Sequence, residues 1–105
     1  MTISSIQRQR GRHPDGTPNK IDIFVGNRIK QKRRTLKLSQ QQLAEELHIS
    51  FQQLQKYESG QNRISASRLW DLSQILNEPI SYFFEDIDED LARQSPRFLS
   101  KKTST

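Results

Sequence analysis

Four side chains near the middle of the chain have the types and the spacing to meet the edges of base pairs. With Phe51 at 0° on a wheel of about 100° per residue, Gln55, Gln52 and Lys56 fall at about 40°, 100° and 140° along one edge. Leu54 and Tyr57 fall on the other edge. A glutamine amide bonds adenine bidentately, a lysine reaches the acceptors of guanine, and an aromatic ring meets the thymine methyl. In duplex DNA the N-terminal half of such a helix is what enters the major groove. Taken alone, the same residues are equally compatible with a helix face that meets only water. Upstream, Gln40 has the position to hold a phosphate with its amide and a helix N-terminus, or simply to be a solvated helix start.

Those side chains are useful only if short helices hold them, and the flanking residues supply the devices. Ser39-Gln40-Gln41-Gln42 is a capping box, in which the serine hydroxyl and the glutamine side chain satisfy backbone N–H groups left unpaired at a helix start. Leu38 and Leu43 occupy the two positions of a hydrophobic staple. Ser50-Phe51-Gln52-Gln53 repeats the box eleven residues later, and Ile49 with Leu54 repeats the staple. Only Leu47, His48 and Ile49 remain for the turn, so the two helices must cross sharply, as in a helix-turn-helix at about 39–58. Gly60 suits the end of the second of them.

The neighbouring segments complete an all-α domain over 21–85. From Asp22 as N-cap, Val25, Ile29 and Leu36 recur near a helical period, predicting a first helix that ends near Lys37. Leu69, Leu72, Ile75 and Leu76, with Trp70 beside them, form the stripe of a fourth helix from about Ser65, ended at Asn77. Pro79 opens a fifth, carrying Ile80, Tyr82, Phe83 and Phe84. Residues 1–20, rich in Gln, Arg, Ser, Gly and Pro, read as a flexible basic arm with Arg8, Arg10 and Arg12. Residues 86–105 read as a flexible tail, acidic and then basic.

Composition narrows the function classes. In 105 residues there is room for one small core, and with 31% hydrophobic residues the apolar side chains must be concentrated in one stretch to build it. A net charge of +5 points to a polyanion. Its distribution is more telling, because Arg28, Lys30, Lys32, Arg33, Arg34 and Lys37 gather just before the motif. No cysteine is present, which excludes disulfides and thiolate metal sites and fits a reducing compartment, the cytoplasm by default. No run of 18 apolar residues and no secretory signal occurs, so a soluble protein with no membrane partner is expected. His13 and His48 have no nucleophile motif beside them, and the cluster Glu85, Asp86, Asp88, Glu89, Asp90 lacks the glycine spacing of a calcium loop. Neither an enzyme, nor a metal, nor a cofactor is expected.

The motif Leu38-Ser39-Gln40-Gln41-Gln42-Leu43-Ala44, followed by Ile49-Ser50 and Tyr57-Glu58-Ser59-Gly60, resembles the lambda-repressor/Cro (XRE) family of helix-turn-helix regulators over residues 26–84. The segments 51–58 and 66–69 further resemble small alphaproteobacterial regulators. The resemblance implies a five-helix lambda-repressor-like DNA-binding domain acting as a transcriptional regulator, a repressor by default, on double-stranded DNA. It implies that Gln40 contacts phosphate, that Phe51, Gln52 and Lys56 face bases with Gln53 or Gln55 in support, and that Ser59, Asn62 and Arg63 lie along the backbone. It implies a buried pair between Arg33 and Glu58, and a homodimer for which Tyr82, Phe83 and Phe84 are candidate contacts, ordinary core filling being the alternative for those rings. The family often has glycine where this chain has Lys37 and His48, and an apolar residue where it has Lys32. Two rival functions keep the fold: an antitoxin whose tail 85–105 folds onto a toxin, and an adaptor that binds protein through the same surface.

Overall fold

Each of the four helices opens on a serine or asparagine side chain that accepts from the first turn. The computed structural model describes residues 17–87. Helix α1 (Lys20–Thr35) is capped by Asn19, α2 (Gln40–Leu47) by Ser39, α3 (Phe51–Ser59) by Ser50 and α4 (Ala66–Ile75) by Ser65. A closing 3₁₀ helix (Ile80–Phe84) follows Pro79. The all-α expectation holds, with the fifth element in the tighter 3₁₀ form. The basic arm up to residue 16 and the tail from residue 88 lie outside the described residues, as do Asp88, Glu89 and Asp90.

The N-terminus of α1 differs from expectation. Asn19, and not Asp22, is the cap: its Oδ1 accepts from the Ile21 N–H at 2.8 Å, leaving Asp22 inside the first turn, where the helix dipole favours an acid. At α2 both halves of the capping box form, Ser39 Oγ accepting from the Gln42 N–H at 3.0 Å and Gln42 Oε1 from the Ser39 N–H at 2.8 Å. At α3 Ser50 Oγ accepts from the Gln53 N–H at 3.0 Å, and the return bond from the Gln53 side chain is absent among the described residues.

Helix ends are set by left-handed residues. Lys37, His48 and Asn77 have φ of 61°, 57° and 57°. In each case the next residue reaches back five positions: the N–H groups of Leu38, Ile49 and Glu78 each donate at 3.0 Å to the carbonyls of Arg33, Ala44 and Ser73. This is the Schellman arrangement, usually built on glycine. The reversal at Lys37 explains why Leu36 misses the core. It sits at the helix cap, exposed, and Leu38 packs inward in its place.

The core is a single cluster drawn from every element: Val25 and Ile29, then Leu43, Ala44 and Leu47, then Leu54, Leu72, Leu76 and Phe83. Leu38 and Ile49 pack against it beside Leu43 and Leu54, as the two staples require. Trp70, expected beside the α4 stripe, lies outside this cluster with 58% of its surface exposed. Its wheel position points away from Leu72 and Leu76, so α4 buries its leucine edge and leaves the indole outside. The closing 3₁₀ helix is tied to α1 by Arg28, whose Nε and Nη2 donate to the Tyr82 carbonyl at 3.2 and 3.0 Å and whose guanidinium lies 4.2 Å over the Tyr82 ring. Lys32 adds an ion pair of 2.7 Å to Glu78, which explains a lysine at a position the family often fills with an apolar residue.

A left-handed lysine carries a strain that glycine relieves, less the entropy glycine adds to the unfolded chain. Lys37→Gly is therefore expected to stabilise the domain by roughly 0.5–1 kcal/mol, and Asn77→Gly by less, because asparagine tolerates this conformation better. Denaturant unfolding of the two variants checks the ranking.

Candidate nucleic-acid interface

Helix α3 has only nine residues, too few to be stable by itself, so its neighbours must hold it. Two contacts do so. Gly26 of α1 faces the carbonyls of Tyr57 and Glu58, where a Cβ would stand 2.7 Å from the Glu58 oxygen and closer still to that of Tyr57. At the same end, Arg33 grips the Glu58 carboxylate with two bonds, Nε to Oε2 at 2.7 Å and Nη2 to Oε1 at 3.1 Å. Both residues are about 6% exposed. The Arg33 Nη1 donates to the Leu38 carbonyl at 2.9 Å, and the Gln40 amide donates to Glu58 Oε1 at 2.9 Å. One carboxylate thus joins the ends of α1 and α3 to the start of α2. The pair implied by the resemblance is present and bidentate, the geometry in which a buried charge is best compensated.

With that edge fixed, the opposite edge of α3 faces out. The side chains of Gln52, Gln55 and Lys56 are exposed and make no hydrogen bond or ion pair among the described residues, and Phe51 is 41% exposed. Leu54 is buried on the inner edge and Tyr57 half-buried, as the wheel requires. Gln53 is half-buried at the side. The face therefore presents amide donors and acceptors, one ammonium group and one ring, all unengaged.

The flanks are polar and basic. Ser59 Oγ donates to the Lys56 carbonyl at 3.1 Å and accepts from the Gln61 N–H at 3.4 Å, while the Asn62 N–H donates to the Lys56 carbonyl at 3.3 Å. The segment after α3 is thereby folded back onto its last turn, with Arg63 exposed. Beside Ser59 runs a groove of about 550 Å³ between α1 and the end of α3, floored by Ile23 and Phe24 and rimmed by Lys20, Asn27 and Lys30. The sequence did not single out Gly26 or Asn27, and Lys30 entered only as one of the basic residues gathered before the motif. The signal that joins Asn27 to Lys30 was their spacing of three on one face of α1, visible only once the α1 to α3 packing is known.

The structure sorts the three aromatic candidates near the C-terminal end. Phe83 is fully enclosed in the core, and so has no surface to offer a partner. Tyr82 is half-buried under Arg28, at right angles to Phe83. Only Phe84, 42% exposed, is free to meet another molecule. Among the described residues, no three His, Asp or Glu side chains gather as metal ligands, and no helix is long and apolar enough to cross a membrane.

The fold and this face find counterparts in other proteins. Residues 29–83 match the helix-turn-helix family HTH_3. The chain belongs to that family. It is 52% identical over 87 residues to an uncharacterised HTH-type transcriptional regulator of Sinorhizobium medicae, covering 83% of this chain and 63% of the relative. The chain thus spans under two thirds of that relative's length. It is 51% identical over 72 residues to an uncharacterised transcriptional regulator in the ATPase CF(0) region of Rhodospirillum rubrum, covering 69% of this chain and 67% of the other. Both sources are alphaproteobacteria, the group the sequence resembles. Two solved structures share the fold: the restriction-modification controller protein C.AhdI from Aeromonas hydrophila, with TM-score 0.56, 24% identity and coverage of 59% of this chain and 94% of that one, and the clp gene regulator ClgR from Corynebacterium glutamicum, with TM-score 0.62, 17% identity and coverage of 79% and 88%. They support the lambda-repressor-like architecture.

Two substitutions test the support under α3. Glu58→Ala strands a buried guanidinium and is expected to destabilise the domain by about 3–5 kcal/mol. An unchanged thermal melt would contradict the clamp. Gly26→Ala is expected to destabilise by about 1–3 kcal/mol through overpacking against backbone, outweighing the roughly 1 kcal/mol that alanine gains in helix propensity. The same melt reports it.

Proposed function

We propose that this chain binds double-stranded DNA sequence-specifically as a transcriptional regulator, with α3 in the major groove. The observation that carries this is the division of α3: its inner edge is locked by Gly26, Leu54 and Glu58, and its outer edge holds Phe51, Gln52, Gln55 and Lys56 exposed and unengaged. Such a face has the chemistry that base edges require. The family, and relatives named as transcriptional regulators, support the same reading.

In this arrangement Gln52 and Gln55 bond adenine edges, Lys56 reaches guanine, and Phe51 meets a thymine methyl, with Gln53 at the side. Gln40 uses one amide proton on Glu58, which leaves its second proton and the N-terminus of α2 for a phosphate. On the far side Ser59, Asn62 and Arg63 follow the backbone, and Asn27 and Lys30 rim the groove beside them. Phosphate contacts at both ends fix the register of the helix, and the central side chains read the sequence. The chain acts as a homodimer on a two-fold site, and represses by occupying the groove that polymerase or an activator needs.

The test is selection of duplexes from a randomised pool with the purified protein, followed by fluorescence anisotropy on the enriched duplex and a shuffled one at two salt concentrations. Gln52→Ala and Lys56→Ala are each expected to lose about 1–3 kcal/mol on the enriched duplex, with little change on the shuffled one and an unchanged melt. Arg63→Ala is expected to weaken both duplexes alike and to lower the salt dependence. No enrichment, or enrichment indifferent to Gln52 and Lys56, would contradict the reading.

A further inference from the structure

The groove between α1 and the end of α3 has a floor and a rim of different chemistry. Ile23 and Phe24 make the floor, and Ile23 has 41% of its surface exposed. The rim carries Lys20, Asn27 and Lys30, whose side chains make no hydrogen bond or ion pair among the described residues. Elsewhere on α1, by contrast, Arg28, Lys32 and Arg33 each meet an acid, in Glu85, Glu78 and Glu58. Glu58 also lines the groove, but its carboxylate is spent on Arg33 and Gln40. An apolar floor under two unpaired ammonium groups fits an occupant that is acidic and apolar at once.

We propose that the groove holds the acidic segment Asp88-Glu89-Asp90-Leu91 of the same chain, and that duplex DNA displaces it. The segment lies outside the described residues, and the residues just before it point to the contact. Glu85, first of the acidic run, already pairs with Arg28 of α1 at 3.5 Å. At Asp86 the backbone is left-handed, with φ of 67°, and the Ile87 N–H donates back to the Phe84 carbonyl at 3.4 Å. The chain therefore turns beside α1, with Ile87 still half-buried. On the wheel of α1, Arg28 falls about 40° to one side of Phe24, and Lys20, Asn27, Ile23 and Lys30 fall about 40° to 120° to the other. The walk from Arg28 to the far rim is thus under a half-turn around a helix about 10–12 Å wide, or about 16–19 Å at most. Leu91 lies six residues beyond Glu85, up to about 20 Å of chain, and so reaches the floor with the three acids along the rim.

Charge selects this segment over the other end of the chain. Residues 1–16 join α1 near the groove, but they hold Arg8, Arg10 and Arg12 against the single acid Asp15, and the rim lysines repel them. The consequence rests on the DNA reading proposed above. The groove runs beside Ser59, where the phosphates of a bound duplex pass, so a carboxylate on Lys20 or Lys30 stands where a phosphate would. Docking of the segment lowers the affinity for every duplex alike, by the fraction of the chain in which the groove is filled.

The test uses the full chain, first without DNA. The chain has no cysteine, so Gln94→Cys gives a single attachment point for a nitroxide spin label, which weakens the NMR signals of amides near it. The expected result is loss of signal at the amides of Ile23, Phe24 and Asn27. The signals are expected to return when Asp88→Asn, Glu89→Gln and Asp90→Asn are combined, with an unchanged melt, and in about 1 M salt, where screening acts within about 3 Å. They are also expected to return when a duplex is added to the spin-labelled chain. Signals at Ile23, Phe24 and Asn27 that never weaken, or that stay weak in the neutralised variant, would overturn the proposal. So would loss of signal in an isotope-labelled chain mixed with a spin-labelled one, which would make a second copy the occupant, or a segment that stays in place on a bound duplex. A chain that bound no duplex would fail the DNA reading alone, and the measurements without DNA would still decide the docking.

Discussion

A carboxylate removed from water at the end of a short helix must find compensation nearby, and most of this domain is arranged around that requirement. Glu58 is almost wholly buried and accepts from both Arg33 and Gln40. Arg33 in turn donates to the carbonyl of Leu38, in the turn that leads into α2. Three helices are thus oriented through one charge, and the pair has little freedom because Gly26 lets the backbones of α1 and α3 approach at the same point. Buried ion pairs add little net stability compared with apolar residues of similar size, yet removing one partner is severe, so such a pair specifies geometry more than it adds free energy. Here the specified geometry is the outward direction of α3.

The remaining core serves the same end with cruder means. Leu43, Leu47, Leu54, Leu72, Leu76 and Phe83 form the floor on which α2 and α3 rest, and each fully buried side chain contributes about 1.5–3 kcal/mol. Arg28 and Lys32 fasten the closing 3₁₀ helix and the segment before it to α1 through Tyr82, Glu85 and Glu78. Apart from the exposed Arg34, the basic residues of α1 are therefore of two kinds. Arg28, Lys32 and Arg33 are engaged within the domain, whereas Lys20 and Lys30 rim the groove beside Ser59 and add to the positive field on the side of α3.

Much of this was legible in the sequence because the relevant physics is local. Capping serines and staple leucines act within one turn, so Ser39, Ser50 and Ser65 marked three helix starts and Leu38, Leu43, Ile49 and Leu54 their packing. The outer edge of α3 followed from its period alone. What was misread depends on where the chain goes next. Asn19 and Asp22 are both sound caps, and in the structure the earlier one is used. Leu36 keeps the helical period, but the left-handed Lys37 ends the helix and leaves it outside. Trp70 is apolar, and a wheel cannot say that an apolar residue beside the stripe stays in water. Gly26 was not singled out from the sequence, because the carbonyls it lets approach belong to α3, far along the chain. The Arg33–Glu58 pair, 25 residues apart, came from the family resemblance and not from spacing.

The central claim is that the edge of α3 opposite the Glu58 clamp is the surface that meets DNA. Backbone amide chemical shifts, followed by NMR while a selected duplex is titrated into the full chain, test it most directly. The account predicts shifts concentrated at Gln40, across residues 51–56 and along 59–63, with the amides of Leu72, Leu76 and Phe83 undisturbed. Shifts centred on α4 or the 3₁₀ helix, with residues 51–56 unmoved, would contradict it.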